Sequence, residues 1–280
     1  MPLTISRNDV AVLGAELQAA VSMALSRPDL RFLFLSERDV VDGWDLPNVT
    51  IRRSAAAAGV AAALSGIPVV VPLSPDWAAV AGQDLRRWSL AKWLGALSDR
   101  RFDYVLPVSA ARPPGPWLVK GDLFHWPDAP VEGDGDSPGP AADGHRCGRL
   151  FQQRLQASAH FLTVGRWAGD ERCALGTIRV HQEAAAREAF LLAGETVALP
   201  GIESRVRDIM AAAGHAGWFS INWVEDGRGD LWLTSLRPVA RALFQLFRKG
   251  GIDLLAAPAA WNCLPAGLRF VVDHSYTEYR

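Results

Sequence analysis

Residues 113–124 read PPGPWLVKGDLF, and Lys120 closes the apolar run. The chain carries 29 basic residues, yet only three are lysines, at positions 92, 120 and 249. In a sequence that otherwise writes arginine, a lysine in this setting points to chemistry that wants a compact point charge on a flexible stem rather than a planar guanidinium fork. Such an ammonium answers an anion; the alternative is a lysine that snorkels from a strand edge. Other reactive residue types are less organised. His125, His145, His181 and His215 have no metal-ligand spacing. Cys147, Cys173 and Cys263 are odd in number and widely spaced without CxxC, so neither a zinc site nor a disulfide framework is indicated. No Ser/His/Asp or Cys/His arrangement stands out. Residues 125–148 hold four aspartates and no apolar periodicity, the pattern of a solvated insertion or a lid.

The elements that must position Lys120 read as follows. VAVLGAELQAAVSMAL, RFLFLS, VTIRRSAAAAGVAAALSG and IPVVVPLSP alternate short apolar runs with Ala-rich helical patterns, which predicts a parallel sheet in an α/β, Rossmann-like first domain. The turn after its first strand is GAE, without GxGxxG, so a dinucleotide is not expected there. From Asp84 the apolar residues Trp88, Leu90, Trp93, Leu94 and Leu97 fall largely on one helical face, a helix that closes the first domain. Beyond it, LFQQRL, HFLTVGRW and GTIRV are strand candidates. A helix over 202–213 leads to the strand GWFSINWV, the turn EDGRGD and the strand LWLTSLR, an antiparallel hairpin, and VARALFQLFRKGGIDLL predicts a further helix.

Composition bounds the function classes. At 280 residues, 49% apolar and 21% charged, the chain has material for two modest domains. A net charge of -1 supplies no basic field for nucleic acid or anionic lipid, so neither partner is expected. No run of about 18 apolar residues and no cationic leader stands in the sequence, which predicts a cytoplasmic protein. A homodimer is the assembly left open.

In order and spacing these pieces resemble the ATP-grasp superfamily over roughly residues 30–255. PWLVK is similar to the family's strand PxVVK, whose lysine holds nucleotide phosphate. FQQRL stands where the adenine hinge belongs, and GWFSINWVEDGRGDLWLTSLRP follows the family's closing hairpin. The resemblance implies a Rossmann-like domain with its linking helix over 1–110 and an ATP-grasp-like domain over 111–280, with the lid at about 111–180 and the C-terminal core at about 181–280. It implies ATP as the nucleotide, held at phosphate by Lys120 and by Arg87, with Lys92 the other register for the second cation. Gln152, Gln153 and Leu155 would flank the base. At the positions where the family carries its magnesium ligands this sequence has Asn222, Ser235 and Arg237, and period-two alternation keeps Ser235 and Arg237 on one face. The implied activity is an ATP-dependent carboxylate-amine ligase acting through an acyl phosphate on a small carboxylate or amine substrate, such as the addition of an amino acid to a cofactor precursor. Lys120 and Arg237 are its expected catalytic residues. The changed ligands leave magnesium open and raise the alternative of a catalytically degenerate protein that binds a nucleotide or anion, or acts as a partner subunit.

Overall fold

The computed structural model describes residues 9–14, 23–36, 46–53, 60, 64–72, 102–109, 111, 116–121, 131–132, 149–169, 173–186, 189–237, 243–256, 262–272 and 277–279. Four strands open the chain, β1 (Val10–Leu13), β2 (Phe32–Ser36), β3 (Val49–Arg53) and β4 (Val69–Pro72), and form an all-parallel sheet in the order β3-β2-β1-β4. Both faces of this sheet are covered, as continuous apolar strands require. Val10, Val12, Phe32 and Phe34 enter one core cluster, while Ala11, Leu13, Leu33 and Leu35 enter another with Val60.

The next strands are β5 (Val108–Ser109), β6 (Trp117–Gly121), β7 (Val131–Glu132) and β8 (Arg149–Gln153). They make a small antiparallel sheet, order β5-β8-β6-β7. The large sheet follows. It is built from β9 (Ala157–Trp167), β10 (Cys173–Ala186), β11 (Ala189–Thr196), β12 (Gly217–Asp226), β13 (Leu231–Arg237), β14 (Arg269–Val272) and β15 (Thr277–Tyr279), in the order β13-β12-β9-β10-β11-β14-β15.

Period-two alternation sorts the large sheet's side chains between two cores. Phe161, Trp167, Phe219, Ile221 and Trp223 pack against helix α1 (Ile202–Ala213), whose Ile202, Val206, Ile209 and Met210 form a stripe at helical spacing. On the opposite face Leu162, Val164 and Trp218 pack against the parallel sheet and against Phe244, Leu246 and Phe247 of helix α2 (Phe244–Lys249). Gly214 ends α1 in the left-handed region at φ 60°, and the following His215 N–H reaches the Met210 carbonyl at 3.1 Å, so the exposed carbonyls of the last turn are met.

The helix over 202–213 and the hairpin stand where the sequence puts them. The expected lid limit near residue 180 falls inside β10, which pairs with β9 in the large sheet; the small sheet ends at Gln153. No Gly or Pro separates β8 from β9, so composition gave no boundary there. The expected final helix is shorter, ending at Lys249 before Gly251 at φ 81°. The helix from Asp84 lies outside the described residues, as does the 125–148 segment apart from Val131–Glu132, which forms β7 beside β6. Among the described residues no helix is long and apolar enough to cross a membrane.

Candidate functional site

β6 and β8 pair antiparallel, placing Trp117 opposite Gln153, Leu118 opposite Gln152 and Lys120 opposite Leu150. Positions 118, 120, 150 and 152 therefore share one face of the small sheet. Gln152 is buried at 1% exposure, and its Nε2 donates to the Leu106 carbonyl at 2.8 Å while its buried Oε1 has no partner among the described residues. Gln153 is exposed and Leu155 half-buried, in the short crossing from β8 to β9.

The segment 102–109 joins the two sheets. The Leu233 N–H donates to the Tyr104 carbonyl at 2.7 Å, and the Leu106 N–H donates to the Leu233 carbonyl at 2.9 Å, so this segment lies along the β13 edge. Pro107 then ends that pairing, since it brings no N–H to a ladder, and Val108 crosses to pair with Gln152. The Tyr104 ring lies against Phe102 and Trp223, with the Arg205 guanidinium 4.7 Å from its centroid. Burial, reinforced by Asp208, pushes its phenol up to about 12, so the hydroxyl stays protonated near neutrality.

The hairpin brings its polar residues together. Asn222 pairs directly with Ser235 and Ser220 with Arg237, so all four positions share a face. A bulge beside Asn222 places Thr234 out of register, and its hydroxyl donates to the Asn222 main-chain carbonyl at 3.3 Å. Ser220 and Ser235 are 2% and 7% exposed, and Asn222 is half-buried. On β9 the same face carries Val164 opposite Ser220, Leu162 opposite Asn222 and His160 opposite Val224. Along it burial gives way to exposure, from the buried Val164 and Leu162 to the exposed His160. The packed interface with the parallel sheet thus ends at the Asn222–Ser235 pair, on the side toward the crossing from β8.

Behind this face sits a buried hydroxyl network, in which Trp223 Nε1 donates to Thr163 Oγ1 at 3.0 Å and the Thr163 and Thr177 hydroxyls lie 2.9 Å apart. It fixes the hairpin against β9. At the far end of the hairpin Asp226 accepts from the Arg228 and Asp230 N–H groups and from Trp232 Nε1, which closes the turn and holds its carboxyl below the usual range.

The chain superposes on solved structures with little sequence likeness. N5-carboxyaminoimidazole synthetase from Staphylococcus aureus matches with a TM-score of 0.63 at 10% identity, over 94% of this chain and 81% of that one. The same synthetase complexed with ADP matches at 0.61 and 10%, over 95% and 83%. L-amino acid ligase from Bacillus licheniformis matches at 0.59 and 13%, over 94% and 75%. The chain has the ATP-grasp fold. No family model and no curated protein sequence matches it.

The small sheet is joined to the hairpin through the crossing at 154–156, β9 and the 104–106 segment. Arg87 and Lys92 lie outside the described residues. Lys120 and Arg237 are described by their backbone register alone. The 104–106 segment and the part of Gln152 in holding it were missed from sequence. The one signal was the YVLP run, whose branched residues before a proline suit a short edge pairing.

Proposed function

We propose that this chain binds ATP between the small sheet and the hairpin and spends it in carboxylate-amine ligation. The observation that carries this reading is the course of β9, which begins at the crossing beside Gln153 and stands opposite Asn222 five residues later. Five strand residues span about 17 Å, a distance a nucleoside triphosphate can bridge from base to phosphates. Gln152, Gln153 and Leu155 would then flank the base. Lys120 and Arg87 would hold the phosphates, with Lys92 as the other register. Asn222, Ser235 and Arg237 would line the reacting end.

The chemistry asks for little covalent help from the protein, because phosphoryl transfer is governed by positioning and charge. A substrate carboxylate oxygen attacks the terminal phosphorus and ADP leaves. An amine then attacks the acyl carbon, loses a proton and expels phosphate. The likeness to a synthetase seen with ADP and to an amino acid ligase supports this class. A small carboxylate and an amine are the expected substrates, an amino acid and a cofactor precursor among them. One observation favours a second reading, a binding protein without turnover: the Asn222–Ser235 pair carries no carboxylate.

The test is calorimetric titration of the chain with ATP and with GTP, followed by phosphate release in the presence of mixed amino acids and small carboxylates. ATP preference with release that needs both substrates supports a ligase. ATP binding without release under any mixture supports the second reading, and no nucleotide binding defeats both.

A further inference from the structure

The ATP-grasp resemblance implies a divalent ion at the hairpin, and the residues present do not fit one. Magnesium takes hard oxygen ligands at near-octahedral geometry, usually with carboxylate among them. The shared face offers the Asn222 carboxamide and the Ser235 and Ser220 hydroxyls, all neutral. Arg237 stands opposite Ser220 in the ladder, so the fourth position of this face brings no carboxylate either. Among the described residues, no group of three or more His, Cys, Asp or Glu could hold a metal.

We infer that the Asn222–Ser235 pair is an anion receptor that hydrogen-bonds phosphoryl oxygens directly, without a metal ion. The inference rests on the nucleotide reading above for its natural ligand. Three features carry it. The residue types at Asn222 and Ser235 supply an amide N–H pair and a hydroxyl, donors that a carboxylate cannot offer. The Thr234 hydroxyl donates to the Asn222 main-chain carbonyl at 3.3 Å, so this bond at the bulge engages the Asn222 backbone and not its carboxamide. The pair also stands where the face passes from packed core to exposure, with Ser235 at 7% and Asn222 half-buried, so a bound oxyanion is partly shielded from water, which strengthens each hydrogen bond it accepts. An anion at this place meets amide and hydroxyl donors, whereas a cation meets only neutral oxygens with no carboxylate to balance its charge.

The experiment is calorimetry on the full chain with ATP, adenosine and inorganic tripolyphosphate, each in EDTA and in excess magnesium. The expected result is that ATP and tripolyphosphate bind in EDTA, that magnesium tightens neither by more than about threefold, and that Asn222→Asp with Ser235→Glu weakens both at least tenfold in EDTA while adenosine is unaffected. If the double variant does not fold, the near-isosteric Asn222→Asp alone carries the same expectation. ATP binding seen only with magnesium overturns the inference and leaves the nucleotide reading in place. Unchanged metal-free affinity in Asn222→Asp also overturns it. Metal-free binding of tripolyphosphate that depends on Asn222, with neither ATP nor adenosine bound, keeps the anion receptor and defeats the nucleotide reading. Binding of none of the three defeats both.

Discussion

Gln152 and Leu106 tie the small sheet to the large one: the buried carboxamide donates to the Leu106 carbonyl at 2.8 Å, and the Leu106 N–H in turn holds the Leu233 carbonyl on the hairpin edge. The volume-matched change Gln152→Leu should cost about 1–3 kcal/mol, because the Leu106 carbonyl loses a buried donor. Hydrogen exchange checks it, with faster exchange at the Leu106 and Leu233 amides and none at the parallel sheet. Unchanged protection at both would show that the side chain carries no such tie.

Lys120→Ala should weaken ATP binding by roughly tenfold or more, as a charge-assisted contact of about 1.5–3 kcal/mol requires, whereas Lys92→Ala should change it little. Titration of both variants decides the register. Equal losses would contradict it.

The Thr163 hydroxyl serves two buried partners at once, so Thr163→Val should destabilise more than Thr177→Val. Each buried polar group left without a partner costs about 1–3 kcal/mol, and the first change strands both the Trp223 indole N–H and the Thr177 hydroxyl. Urea unfolding followed by tryptophan fluorescence compares them. Equal midpoints would mean the network does not support the hairpin.

His215 makes stability fall in acid. Burial holds its imidazole down at about 4, while its Nε2 lies 3.0 Å from the Trp218 carbonyl. The folded value lies below the unfolded one, so the unfolded chain binds the extra proton. The contribution is present above about pH 6.5 and is lost as pH falls toward 4, amounting to about 2 kcal/mol by pH 5. Unfolding measured at pH 7 and pH 5 should show that loss in the natural chain and a smaller one in His215→Gln. The same slope in both would place the acid sensitivity elsewhere.

How much of this was legible in the sequence varies with the element. The hairpin was, because GWFSINWV and LWLTSLR alternate in period two around a Gly-containing turn, and a direct Asn222–Ser235 pairing follows once the register is set. The helix over 202–213 was, since Ile202, Val206 and Ile209 repeat at helical spacing before Gly214. The small sheet's limit was not. β8 and β9 are joined by Arg154, Leu155 and Gln156, a crossing with no Gly or Pro to punctuate it, so the change of sheet leaves no local trace. Nor was the 104–106 segment, whose pairing with Leu233 joins residues far apart in the chain. Strands β11, β14 and β15 were missed for the same reason, since their pairing partners are set by tertiary placement and not by their own pattern.

The central claim is that a nucleotide lies along the opening of β9, from the crossing after Gln153 to the Asn222–Ser235 pair. Hydrogen–deuterium exchange of the full chain with and without saturating ATP tests it most directly. The account predicts slowed exchange at 152–156, around Lys120 on β6, and at 220–224 and 233–237 on the hairpin, with the parallel sheet unchanged. Protection confined to the parallel sheet, or exchange identical with and without ATP, would contradict it.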